Sequence, residues 1–264
     1  MLRFYIEVAR TSFRRQLIYR WANLAGLLTN IFFGVVFSYV IIALYHARPI
    51  AAGYNVTDTL RYTWLEQALL MVVVPFGWYD LMLTIRTGAV VSDLSKPCDF
   101  YWYWFSREFG RSAYYLLLRG LPIYLAGILL FGIGIPSNVQ QWLVFALSIT
   151  LSTFVGIAYR YLFNLTAFWV VEARAMYTLG LTLAQFLTGS YVPLLFFPSW
   201  LLAIVTWLPF NAFMNIPTQM FVGNLPTTTL LFDLFLQIAW GTLLTLGVRA
   251  LTTVAARRVI VQGG

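Results

Sequence analysis

The sequence holds one cysteine, one histidine and one lysine: Cys98, His46 and Lys96. A single cysteine rules out an internal disulfide and any cysteine-based zinc cluster, and Cys98 reads as an incidental residue. A metal site at His46 would need ligands that the chain scarcely has. One histidine and no paired partners leave no Ser/His/Asp set for nucleophilic catalysis. The phosphate-cradling pattern Gly-x-x-x-x-Gly-Lys-Ser/Thr is absent as well. Charge is scarce throughout, since Asp, Glu, Lys and Arg together make up 10% of residues. No soluble domain of ordinary size fits that composition. The net charge of +8 does not point to nucleic acid, because the basic residues stand beside the ends of apolar runs and not on one solvated face.

Apolar length is what the chain has in abundance. Hydrophobic residues reach 61%, the composition of a chain dissolved in lipid. Its 264 residues have room for about six spans of roughly 20 residues each. The pattern predicts an all-α membrane protein forming a single transmembrane domain over 1–264. Residues 1–20 carry Arg3, Arg10, Arg14, Arg15 and Arg20 between apolar residues, which predicts an amphipathic helix at the membrane interface. Its basic region is too long for a cleaved signal peptide, and the next run has spanning length. Spans are expected at 21–45, 62–85, 115–135, 142–160, 176–197 and 229–248. Pro75-Phe76-Gly77 should bend the second. Residues 198–228 are punctuated by Pro198, Pro209, Pro217 and Pro226, and their apolar run is too short to cross. A re-entrant hairpin of two short helices fits them better.

Orientation follows from the arginines. With the amino terminus inside, every basic residue except Arg48 and Arg61 lies at a cytoplasmic end, fifteen of the seventeen. A seventh span within 198–228 would place Arg249, Arg257 and Arg258 outside. Both termini are therefore expected in the cytoplasm.

The longest polar interruption is 86–111, with Arg86, Asp93, Lys96, Asp99, Arg107, Glu108 and Arg111. Val90, Val91 and Leu94 fall at helical spacing beside Gly88, and Lys96-Pro97 ends that element. The aromatic residues from 100 to 109 then predict an amphipathic segment at the interface. Glu66, Asp80, Arg119 and Asp233 lie in or near spans, where an isolated charge costs several kcal/mol, so structural pairing is expected of each. Asp80 is assigned to water or Arg86, and Glu66 and Asp233, near the outer edge, to Arg61 or solvent. No proton relay emerges from their spacing.

The order of these parts resembles the type-two permeases of ATP-binding-cassette (ABC) exporters. Ile85-Arg-Thr-Gly-Ala, Asp93-Leu-Ser-Lys-Pro97 and Asp99-Phe-Tyr are similar to the connector of a six-span bacterial subfamily of those permeases. So are Leu187-Thr-Gly-Ser-Tyr-Val-Pro193, Phe197-Pro-Ser-Trp200 and Leu208-Pro-Phe210. The resemblance implies a permease in the bacterial inner membrane, paired with a second permease, identical or homologous, above two cytoplasmic ABC ATPase subunits. ATP and Mg would sit on the ATPase, with no cofactor on this chain. The connector would be a coupling helix docked on the ATPase, with Arg86, Thr87, Gly88, Ala89, Asp93 and Lys96 as its residues. Small side chains there allow close approach, and Arg86 and Asp93 can pair with charges on the partner. The substrate, an amphipathic, lipid-like, drug or peptide molecule, would pass beside the first, second and fifth spans. Phe32, Phe33, Phe37, Tyr39, Met71, Phe76 and Gln185 are the residues assigned to that path. Gly189 and Pro193 would let the fifth span bend at its outer end. An ion-gradient-driven secondary transporter is the alternative, but such proteins show internal repeats, and the first three spans do not match the last three. A membrane scaffold would account for the amphipathic ends but not for the outer hairpin.

Overall fold

The computed structural model describes residues 1–47, 54–74, 78–170, 172–223 and 226–257, which form an all-α protein with no β-strand among them. In chain order the helices are α1 (Leu2–Ile18), α2 (Arg20–Ala47), α3 (Val56–Val73), α4 (Asp80–Arg86), α5 (Val90–Leu94), α6 (Phe100–Tyr115), α7 (Leu121–Phe131), α8 (Val139–Leu165), α9 (Ala173–Leu187), α10 (Ser199–Val205), α11 (Ile216–Val222) and α12 (Thr227–Ala256). Among the described residues, four continuous stretches are long and apolar enough to cross a bilayer: Arg20–His46, Phe100–Phe131, Val139–Phe168 and Thr227–Ala256. Helices suit such a sequence because their backbone groups need no water.

Local chemistry sets the helix ends. Asn55, Asp99 and Asn138 cap α3, α6 and α8, each accepting a hydrogen bond from a backbone N–H of the first turn. Pro122 and Pro217 have no N–H to give to the carbonyls of Leu118 and Phe213, four residues back. Both carbonyls lie inside π-helical turns, Leu116–Gly120 and Asn211–Asn215. The first of these turns joins α6 to α7 without a break.

Two expectations change here. The aromatic residues from 100 to 109 are not a separate surface segment, because they open the same helix that ends at Phe131. The expected 115–135 span is thus the second half of a longer rod. The 176–197 span is also shorter than expected. α9 stops at Leu187, and the chain turns at Gly189, whose φ of +92° is left-handed. The bend expected at Pro75-Phe76-Gly77 lies outside the described residues.

Lipid offers helices no hydrophobic reason to associate, so close packing and buried hydrogen bonds hold the bundle together. α3 is the hub, touching α2, α6, α7, α8 and α11. Its Trp64 is fully buried and donates to Ser38 Oγ of α2 at 2.9 Å. α12 packs along α8, where buried Gln237 donates to Ser152 Oγ at 2.8 Å and to the Ala212 carbonyl at 3.1 Å. Arg119 donates to the Gly26 carbonyl and to Asn30 Oδ1, so its pairing is with α2 and not with an acid.

α1 does more than rest on a surface. It runs along α6, and a Cβ on Gly110 would overlap the Ala9 carbonyl. Phe13 meets Tyr114 edge-on, and the Asp99 N–H donates to the Tyr5 hydroxyl. In residues 198–228, α10 and α11 have seven residues each, about 10 Å at 1.5 Å per residue. The polar groups between them are paired. Asn215 donates to Asn211 Oδ1 at 2.7 Å and accepts from the Tyr62 hydroxyl at 2.9 Å.

Candidate functional site

The connector consists of α4, a left-handed step at Gly88 with φ of +74°, and α5. No side chain or backbone atom lies within 4 Å of where a Gly88 Cβ would stand. Glycine is there for its backbone conformation, and no described residue needs its small size. Arg86, Thr87, Gly88 and Ala89 are all exposed, as are Val91, Ser92 and Ser95. Arg86 forms no ion pair among the described residues.

Asp93 and Lys96 belong to a different group. Asp93 is 8% exposed and takes the Lys96 ammonium at 2.6 Å. Lys96 also donates to the Tyr103 hydroxyl at 2.9 Å and lies over that ring. Burial alone would lower the Lys96 pKa, but the hydrogen bonds to Asp93 and Tyr103 outweigh it and hold it above its ordinary value. Asp93 was expected to meet a charge on a partner. It is instead an internal brace that folds α5 back onto α6.

Behind α4 lies a charge cluster. Asp80 opens α4 and faces Arg15 of α1 at 3.8 Å, Arg107 of α6 at 3.4 Å and Arg111 of α6 at 3.6 Å. Arg111 also reaches Glu108 at 3.5 Å, and Glu108 lies 3.9 Å from Arg160 of α8. Arg160 donates to the Val73 carbonyl at the end of α3. Asn164, one turn on, accepts from the Met82 N–H of α4 at 3.1 Å. The base of α4 is therefore tied to α1, α6 and α8, and α8 in turn to the end of α3. Asp80 had been assigned to water or Arg86, and its partners prove to be three other arginines. The i,i+4 spacing of Arg107 and Arg111 puts them on one helix face, but no local pattern relates them to Asp80.

A second feature is a cavity of about 310 Å³ between α2, the middle of α3 and the turn that follows α9. Phe37, Gly189 and Pro193, three of the residues expected along the substrate path, line this cavity. Met71 is packed in the core instead, and Phe33 is 45% exposed on the outside of α2. Phe32 and Tyr39 also face outward. Gln185 is one step removed, accepting from the Tyr191 hydroxyl at 2.7 Å. Phe76 lies outside the described residues.

The cavity adds Tyr62, Thr63, Glu66 and Gln67, which the sequence reading did not place there. Their i, i+1, i+4, i+5 spacing is a polar stripe on one face of α3, and that was the available signal. The expected partner of Glu66 and Asp233 is occupied: Arg61 pairs with Asp58 at 3.7 Å. Neither acid has an ion pair among the described residues. Glu66 lies about 15 Å along α3 from Val56 at 1.5 Å per residue, well inside the helix and not at its edge.

No curated protein and no solved structure matches this chain. A family model described as ABC-2 family transporter protein matches residues 30–258, most of α2 through the end of α12. Permeases of this family work with an ATPase carried on a separate subunit. The chain is therefore a multi-pass membrane protein of the ABC-2 family, the permease component of an ABC transporter.

Proposed function

We propose that this permease exports an amphipathic, lipid-like, drug or peptide molecule, driven by ATP hydrolysed on two ATPase subunits beneath a pair of permeases. The exposed connector carries the reading. Arg86, Thr87, Gly88 and Ala89 present small side chains and one unpaired cation to solvent, and the contacts of Asp80 and Met82 tie α4 to three others, α1, α6 and α8. A push on α4 would thus reach α1, α6 and α8 through ion pairs. Six spans fit this arrangement: α2, α3 with α4, α6 with α7, α8, α9 and α12. The connector and both termini face the cytoplasm of a bacterium by the arginine bias, and 198–228 dips into the membrane from the outer side. The export direction rests on the resemblance to exporter permeases.

The test is co-purification with the ATPase. Arg86→Glu and Ala89→Trp alter only outward-facing groups, so each should weaken ATPase capture while the unfolding temperature stays unchanged. Capture that survives both would sink the coupling assignment. Transport that continues without any ATPase would favour an ion-driven transporter instead.

A further inference from the structure

The Glu66 carboxylate is the one feature of the cavity that packing does not explain. Glu66 is 3% exposed, and neither of its oxygens forms a well-aligned hydrogen bond among the described residues, although two hydroxyls are close enough to interact with it. Tyr62 and Ser190 lie beside it. The Tyr62 hydroxyl, however, donates to Asn215 at 2.9 Å. The Ser190 hydroxyl is engaged with Thr188 at 2.9 Å and with the Met214 sulfur at 3.4 Å. Arg61, the nearest cation in sequence, pairs with Asp58 and lies against Gly134. A buried carboxylate without a cationic partner is costly, and a cation bound beside it would relieve that cost.

The walls say what that something is. No described residue lining the cavity is Arg, Lys or His, so nothing there offsets the charge that an anion would bring beside Glu66. Four aromatic rings, those of Phe37, Tyr62, Tyr191 and Phe196, line the same space. Aromatic faces with a carboxylate are what recognises an ammonium group. The rim is apolar: Val36 and Val40 of α2 and Val192 are 39%, 61% and 43% exposed. A hydrocarbon tail could therefore leave the cavity along α2 without crossing a polar edge. About 310 Å³ holds a head group and the start of a tail, the lower end of the ordinary range for ligand pockets.

We propose that this cavity binds the cationic head group of an amphipathic molecule, with Glu66 as its counter-charge. The proposal rests on the permease reading and narrows its substrate to lipophilic cations. The test uses the full chain in lipid nanodiscs, titrated with dodecyltrimethylammonium and with dodecanol, an uncharged molecule with the same tail. Empty nanodiscs give the background. The ammonium should bind saturably and about tenfold or more tighter than the alcohol, as a charge-assisted contact requires. Glu66→Gln should bring the ammonium down to the level of the alcohol and leave the alcohol unchanged. Equal affinity for the two molecules, or ammonium binding indifferent to Glu66→Gln, overturns the proposal. Should Glu66→Gln fail to fold, Val36→Trp narrows the mouth with Glu66 intact and should abolish saturable ammonium binding; retained binding overturns the proposal too. Failure of the permease reading looks different. Ammonium binding with no ATPase recovered would sink the coupling and leave the site standing, and ATPase capture without Glu66-dependent binding would do the reverse.

Discussion

Asp80 and Glu108 carry the same charge and share Arg111, but their surroundings differ. The Asp80 side chain is 31% exposed, whereas Glu108 and its partner Arg160 are 3% and 2% exposed. Water can replace a lost partner for the arginines around Asp80. It cannot do so for Arg160. Glu108→Gln, which leaves a buried guanidinium uncompensated, should therefore destabilise the protein by about 3–5 kcal/mol. Asp80→Asn should cost only about 1 kcal/mol. Detergent-solubilised unfolding of the two variants side by side tests the order, and a larger loss for Asp80→Asn would show that burial is not what ranks them. Part of this cluster was readable beforehand, since Glu108 and Arg111 lie three apart on one helix face. Asp80, Arg15 and Arg160 join it from distant positions, which only folding brings together.

The connector works as an element because one face is braced and the other is free. Asp93, Lys96 and Tyr103 hold α5 against α6, while Arg86 to Ala89 project outward. The Lys96 pKa is held above its ordinary value of 10.5. Stability from the charged brace is therefore fully present below that value and is lost as pH rises through the higher, folded-state value. Lys96→Met should lower stability by about 0.5–1 kcal/mol, because the site is partly exposed. The gap between the two proteins should stay constant to pH 10.5 and close above it. Thermal unfolding followed against pH reads this directly, and a gap that widens with pH would refute the brace. The break at Lys96-Pro97 and the helix at Val90 were legible from spacing alone. The role of Asp93 was not, because an acid three residues before a lysine can turn outward as easily as inward.

Sidedness is a property of the whole molecule, and the lone cysteine reports it. Cys98 lies half-buried between α5 and α6, and burial pushes its thiol pKa up, so a modest alkaline pH will be needed for labelling. A membrane-impermeant thiol reagent should leave the protein unmodified in intact cells and label it in inverted vesicles. Labelling from outside intact cells would reverse the orientation and remove the ATPase from reach of the connector. The charge distribution already groups Arg15, Arg107, Arg111 and Arg249 at the connector end, with Asp99 joined to Arg249 at 2.8 Å. Arg61 sits with Asp58 near the start of α3, away from that group.

Composition and periodicity were enough for the membrane class and the helical architecture. Each of these depends on lengths and local patterns, and the bilayer permits few ways to satisfy a backbone without water. Where α9 stops, which face of the connector is free and which acids are paired depended on packing between distant residues. Glu66 shows the difference. Its isolation on an apolar helix is plain in the sequence, but its lack of a partner appears only once Arg61 is seen bound to Asp58 and Tyr62 to Asn215. A charge can be counted along the chain, but its neutralisation is a matter of distance in three dimensions.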